Sequence, residues 1–195
     1  MAGGSIILAS LTAIRQIDIK RIVAYSSIAH MNLAVLGLFA NNYVAISGGL
    51  ILTVAHGFVS AAMFLLIGVL YDRYHSRLVS HYGGLARVAP LFAIVFILFS
   101  LANLGFPLSY NFVGELSIIM GLVQNNVVYG IVGLFGVLTS VIYVMWLANR
   151  VLFGDITINY INQFYDLHFR EFVYFMLLLM PTLMFGIFPD YLEVR

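Results

Sequence analysis

Cysteine is missing from this chain of 195 residues, which excludes disulfides, thiolate metal sites and cysteine-held iron–sulfur clusters on it. Charge is scarce too: Asp, Glu, Lys and Arg make up 9%, against about a quarter in an ordinary soluble domain. Net charge is only +1, so nothing points to nucleic acid as a partner. No phosphate loop, nucleophile–base arrangement or metal-ligand cluster is visible. The opening MAGGSIILAS has no charged n-region and no Arg- and Ser-rich amphipathic stretch, so neither a signal peptide nor a transit peptide is expected there. What abounds is apolar: 63% of residues are hydrophobic and mean hydropathy is +1.03. The interior of a globule cannot absorb that much apolar surface, whereas a bilayer can. The composition predicts an all-α, polytopic transmembrane helix bundle.

Apolar runs fall at about 2–14, 22–40, 43–70, 89–123, 127–149 and 171–188. A spanning helix needs about 20 apolar residues. The first run is too short to cross alone, and is expected to be a partial span completed by something else. The run 89–123 is too long for one crossing and too short for two with a turn. Its middle holds Gly105, Pro107, Ser109 and Asn111. Proline lacks an N–H and clashes with the preceding turn, so a break near 105–111 is predicted. Charge placement decides the number of crossings. Sixteen of the seventeen formally charged residues fall into clusters at 15–21, 72–87, 150–171 and 190–195. The connections NNY at 41–43 and QNN at 124–126 carry none. If 89–123 crosses once, the first three clusters share one side with Arg15, Lys20, Arg21, Arg73, Arg77, Arg87, Arg150 and Arg170, leaving only Arg195 opposite. The positive-inside rule favours that arrangement, one discontinuous helix with the charged side facing cytoplasm or matrix. All 195 residues read as a single membrane domain.

Glu115 is the one formal charge outside the clusters. A charge at the bilayer centre costs about 2.5–3.5 kcal/mol on insertion scales, so such a residue is a functional candidate facing the bundle interior. A carboxylate tipped between charged and neutral by a movable cation handles protons. Broken helices recur at ion sites in transporters, where half-helix ends expose backbone groups, so Pro107 and Gly105 support this role. A membrane-edge glutamate is the plainer alternative. His30 lies near the middle of 22–40 with Ser26 on its face, and His56 near the middle of 43–70 with Thr53 and Ser60 on its face. Imidazole passes protons through its two nitrogens. Each histidine alone is equally read as hydrogen-bonded to a neighbouring helix, and the pair also permits axial haem ligation. The loop YDRYHSRLVSHYGG at 71–84 reads as a surface and subunit-contact segment. Asp18 is expected to pair with Lys20 or Arg21. Gly130, Gly133 and Gly136 form a small-residue stripe suited to close packing.

The ordered set IDIKRIVAYSSIAHMN, LTVAHGFVSAAMFLLIGVLYDRYHSR and SLANLGFPLSYNFVGELSII resembles the antiporter-like subunit 4 family of respiratory complex I, NADH:ubiquinone oxidoreductase, across essentially the whole chain. The glutamate of the family's FVGE motif corresponds to Glu115, which the resemblance implies is the terminal proton-exchange residue. The AHG histidine corresponds to His56 and that of SIAHM to His30, both on a hydrated polar axis. The HSR arginine corresponds to Arg77, a structural residue on the matrix side. The resemblance covers only the C-terminal part of such proteins. The family's helices bearing a glutamate–lysine pair and a central lysine are missing, and Lys20 is the only lysine present. The implied protein is the exit half of a proton channel, with a separate chain supplying the N-terminal half among other complex I membrane subunits. FMN, iron–sulfur clusters and ubiquinone are expected elsewhere in the complex, none on this chain, and bound phospholipid is expected. The mitochondrial inner membrane with organelle encoding is implied, the bacterial plasma membrane being the alternative. A structural subunit without pumping, or a sodium/proton antiporter subunit of the same fold, are the competing readings.

Overall fold

The computed structural model describes residues 1–155 and 166–189. Its elements are α1 (Ala2–Ile14), α2 (Ile19–Leu38), α3 (Tyr43–Tyr74), α4 (Leu85–Val88), α5 (Pro90–Asn103), α6 (Tyr110–Asn125), α7 (Val127–Leu152) and α8 (Phe169–Ile187). A 3₁₀ turn at Val79–His81 precedes α4. No strand occurs among the described residues, and α2, α3, α7 and α8 are each long and apolar enough to cross a membrane.

Side chains set most helix starts. Asp18 accepts from the Lys20 N–H at 2.9 Å, Asn42 from Val44 at 3.0 Å and Asn126 from Val128 at 2.9 Å. The two asparagine turns are therefore N-caps, which satisfy backbone donors that a helix start leaves free. Asp18 spends its carboxylate in this way, which corrects the expected ion pair with Lys20 or Arg21 and starts α2 at Ile19 instead of 22. Pro90 opens α5, where its missing N–H costs nothing. Asp166 caps α5 from a distant connection, accepting from Leu91 and Phe92 at 3.0 Å each.

The connections sort into two ends. At one end an antiparallel bridge joins Asp18 to Leu78, Gly84 donates to the Phe153 carbonyl, and Arg73 pairs with Glu171 at 2.8 Å. All three charged connections meet there. At the other end Asn42 donates to the Gly121 carbonyl and to Gln124, and Asn125 donates to the Ala40 carbonyl. The two uncharged turns are thus bonded to each other. The path from Pro90 to Asn125 runs once from the charged end to the uncharged end. Alone, α5 is about 21 Å long and α6 about 24 Å, both short of a ~30 Å core. They form one discontinuous helix. Arg195 and the other charges at 190–195 lie outside the described residues.

The break is tighter than the sequence implied. It spans 104–109, and Asn111 is helical because the Ser109 hydroxyl accepts from the Phe112 N–H at 3.3 Å and starts α6 at Tyr110. Gly105 and Leu108 both take positive φ, +65° and +83°, the latter unusual for a side chain with a Cβ. α8 backs the break: a Cβ on Gly186 would overlap the Leu108 carbonyl. Irregular backbone at membrane depth survives only when covered by protein or lining a cavity, and α8 supplies cover. α3 continues four residues past the expected span end at 70. Asp72 and Arg73 are therefore helical, an extension that the aqueous interface tolerates beyond the hydrocarbon.

The core joins α2, α3, α5 and α7 through Ile22, Met63, Leu66, Phe92, Phe96, Phe99 and Tyr143. A second seam brings α3 and α6 backbone to backbone. A Cβ on Gly114 would lie 2.8 Å from the Leu52 amide, and one on Gly48 2.8 Å from that of Ile118. Small residues let two helices approach this closely in a membrane. The stripe on α7 serves the same end: an added Cβ on Gly136 would crowd Ile6 of α1, and one on Gly133 would meet Leu33 of α2.

Candidate functional site: a buried carboxylate–imidazole chain

The close α3–α6 seam, with α2 laid across it, brings three titratable side chains into one buried place. Glu115, His30 and His56 are each 3% exposed. His30 Nδ1 lies 3.1 Å from Glu115 Oε1. That is ion-pair distance without hydrogen-bond geometry, since Oε1 has no hydrogen-bond partner. The His30 and His56 rings sit 5.2 Å apart, tilted by 32°. His56 Nε2 shares a 2.8 Å hydrogen bond with the Ser27 hydroxyl. The result is a chain, Ser27–His56–His30–Glu115, in a membrane-type core. Two positive rings at that separation would repel by about 3 kcal/mol at an effective dielectric of 20.

The break positions the carboxylate. Glu115 Oε2 lies against the Cα of Gly105, where a Cβ would overlap it. Gly105 is required twice, for its left-handed φ and for this close approach. Pro107 lies in the same break, one residue before the left-handed Leu108.

Other sequence-predicted residues fall elsewhere. Ser26 is buried, but its hydroxyl donates to the Val23 carbonyl at 2.8 Å, and the neighbouring Ser27 reaches His56. Thr53 and Ser60 return their hydroxyls to their own helix, at the Gly49 and Gly57 carbonyls. Lys20 and Arg77 are exposed at the charged end, with the Arg77 guanidinium 4.4 Å from the Tyr71 ring centroid. The haem arrangement finds no room. The cavity beside His30 is about 10 Å³, the size of one water.

Three residues were not expected to join the cluster. Asn111 is fully buried with neither side-chain atom hydrogen-bonded. It precedes Glu115 by four positions, so it shares that helix face, a signal open to the three-and-four rule. Tyr143 is fully buried and its hydroxyl has no partner, and it lines the small cavity with His30 and Ser140. It continues the α7 face of Gly136 and Ser140. Ser27 precedes His30 by three positions, so the same rule places it on the His30 face beside Ser26.

The family model for the NADH:quinone oxidoreductase/Mrp antiporter transmembrane region matches residues 1–143. The chain belongs to this family. It is 46% identical over 187 residues to NADH-ubiquinone oxidoreductase chain 4 of Mycosarcoma maydis and 42% identical over 186 to that of Marchantia polymorpha, covering 95% of this chain in each case. The chain spans 38% of the length of each of these relatives. Among solved structures, a chain of respiratory complex I from Thermus thermophilus with bound NADH superposes with a TM-score of 0.89 at 28% identity, over 97% of this chain and 40% of that one. The Mrp complex from Dietzia sp. gives 0.88 at 18% identity, over 98% of this chain and 44% of that one, a likeness of fold alone. The fold is that of antiporter-like membrane subunits.

Proposed function

We propose that this chain forms the exit half of a proton-translocation channel in the membrane arm of an NADH:ubiquinone oxidoreductase. The observation that carries it is the pairing of Glu115 with His30 at 3.1 Å beside a break in the helix. A proton arriving on His56 moves to His30, and from His30 Nδ1 to Glu115 Oε1. The carboxylate becomes neutral, its attraction for the imidazolium ends, and His30 is free to take the next proton. Glu115 then gives its proton to the outer side. An under-bonded carboxylate suits this exchange, because no fixed donor holds it in one state.

The remaining parts of the reading follow from the family. Other membrane subunits of the complex adjoin this chain. Flavin, iron–sulfur clusters and ubiquinone reside elsewhere in the complex. In this reading the membrane is the mitochondrial inner membrane, and bound phospholipid accompanies the chain. A sodium/proton antiporter subunit is the second reading, favoured by the likeness to the Mrp fold. Copurification with quinone-reducing activity separates the two.

The test is Glu115→Gln in the assembled complex, with protons counted per electron in sealed vesicles. Quinone reduction with a lowered proton-to-electron ratio is the expected result. An unchanged ratio with normal assembly leaves the chain a structural subunit.

A further inference from the structure

At the charged end, a groove of about 370 Å³ opens between the start of α2 and the last turns of α3. Its lining is Lys20, Phe64, Ile67, Gly68, Tyr71 and Arg77. The two cations are 57 positions apart in sequence, and the backbone brings them together. Ile19 donates to the Arg77 carbonyl at 2.9 Å and Val79 to the Ile17 carbonyl at 2.9 Å, on either side of the Asp18–Leu78 bridge. Neither cation has a salt bridge among the described residues. Of the nearby carboxylates, Asp18 is engaged by the Lys20 N–H and Asp72 is exposed on α3. The Arg77 guanidinium carbon lies over the Tyr71 ring, 4.4 Å from its centroid, and the side chain is exposed.

Below the cations the groove turns apolar. From Tyr71 to Phe64 it descends about 10 Å along α3. Gly68 keeps it open: a Cβ added there meets nothing within 4 Å. Two basic groups at the helix ends above an apolar trough match one chemical class, a phosphate ester carrying acyl chains. Free phosphate would use the cations but not the trough, and a neutral lipid the trough but not the cations.

We infer that this groove is a binding site for one anionic phospholipid, its phosphate held by Lys20 and Arg77 and an acyl chain laid over Gly68. Arg77 offers two parallel N–H donors to the phosphate oxygens, and Lys20 adds a point charge. The lipid ties α2 to α3 on the charged side, which gives the expected bound lipid an address. The site stands apart from Glu115, and its fate does not depend on the proton reading.

The test uses the assembled complex in nanodiscs with phosphatidylglycerol bearing a photoactivatable acyl chain. Labelling within 64–71 is expected, competed by phosphatidylglycerol and not by phosphatidylcholine or inorganic phosphate. The double variant K20Q/R77Q should need about 30-fold more lipid for half-labelling, from ~1 kcal/mol per cation near an anionic headgroup. Gly68→Leu, whose Cβ meets nothing within 4 Å, puts a branched side chain into the trough and should abolish labelling, with assembly and proton-to-electron ratio intact. Undiminished labelling in both variants, equal competition by phosphatidylcholine, or a photo-crosslink from the groove to a polypeptide in place of lipid would each overturn the assignment.

Discussion

Two carboxylates on this chain live under opposite conditions. Glu171, at the charged end, accepts from Arg73 at 2.8 Å and from the His168 N–H at 2.9 Å, and its side chain stays 29% exposed. Glu115 is buried, with an imidazole at ion-pair distance and no hydrogen bond on Oε1. An arginine and a backbone N–H hold the first in place, and it serves to fix loops. The second faces an imidazole inside the apolar core. The carboxylate that builds structure is engaged by donors, whereas the buried one is short of them.

The largest expected effect tests the frame that holds Glu115. Gly114→Ala puts a methyl group against the Leu52 backbone and should cost about 1–3 kcal/mol, read as lost assembly or a lowered melting temperature of the complex. Gly57→Ala, where an added Cβ meets nothing within 4 Å, is the control. It should be neutral or gain up to ~1 kcal/mol from helix propensity. Equal effects at both positions would show that the α3–α6 seam is not close-packed.

Next comes Arg73→Ala, which strips Glu171 of its cation. For a pair this exposed the loss should be about 1–2 kcal/mol in thermal stability, with the proton-to-electron ratio untouched. Glu115→Gln should show the reverse signature, with stability changed by less than ~1 kcal/mol, since no hydrogen bond to Oε1 is lost, and proton transfer impaired. If the two variants behaved alike, the contrast between the carboxylates would collapse.

The smallest effect sits in the loop above the charged end. Burial, then the neighbouring Tyr74, pushes the Tyr82 phenol from 10.0 up to about 12, and its hydroxyl donates to the Ser76 carbonyl at 2.7 Å. The neutral form is the one the fold accommodates. Its contribution is therefore complete below pH 10 and declines as pH climbs through about 12. Comparing alkaline phenolate absorbance with Tyr82→Phe should reveal one late-titrating tyrosine.

Much of this architecture was legible in the residues. Apolar runs marked the helices, and the Gly105–Asn111 stretch marked the break. The asparagine turns and charged clusters separated the two ends, because burying charge in lipid is costly wherever it occurs. The boundaries were less legible. Whether Asp18 paired with a cation or capped a helix depended on a 2.9 Å contact with a backbone N–H that composition does not encode. Likewise Ser109 moved Asn111 into α6 by capping it.

The site divides in the same way. That Glu115, His30 and His56 were candidates followed from rarity alone: polar side chains in apolar runs need partners. That they are partners to one another, in the order His56, His30, Glu115, followed from packing. Ser27 reaches His56 while Ser26 returns its hydroxyl to the Val23 carbonyl, which depends on how α2 packs on α3. Asn111 and Tyr143 joined the cluster because α6 and α7 turn those faces inward.

By itself the sequence determined the solvent this chain folds in, its helical class, and which few groups are too polar to face lipid. Those outcomes depend on transfer energies that belong to each residue separately. Only the tertiary structure decided which groups meet, since that depends on glycines at Gly48, Gly114 and Gly105 allowing backbones and a carboxylate to close within contact distance. A proton moves over ångströms, so the proposed path from His56 to Glu115 rests on that second decision.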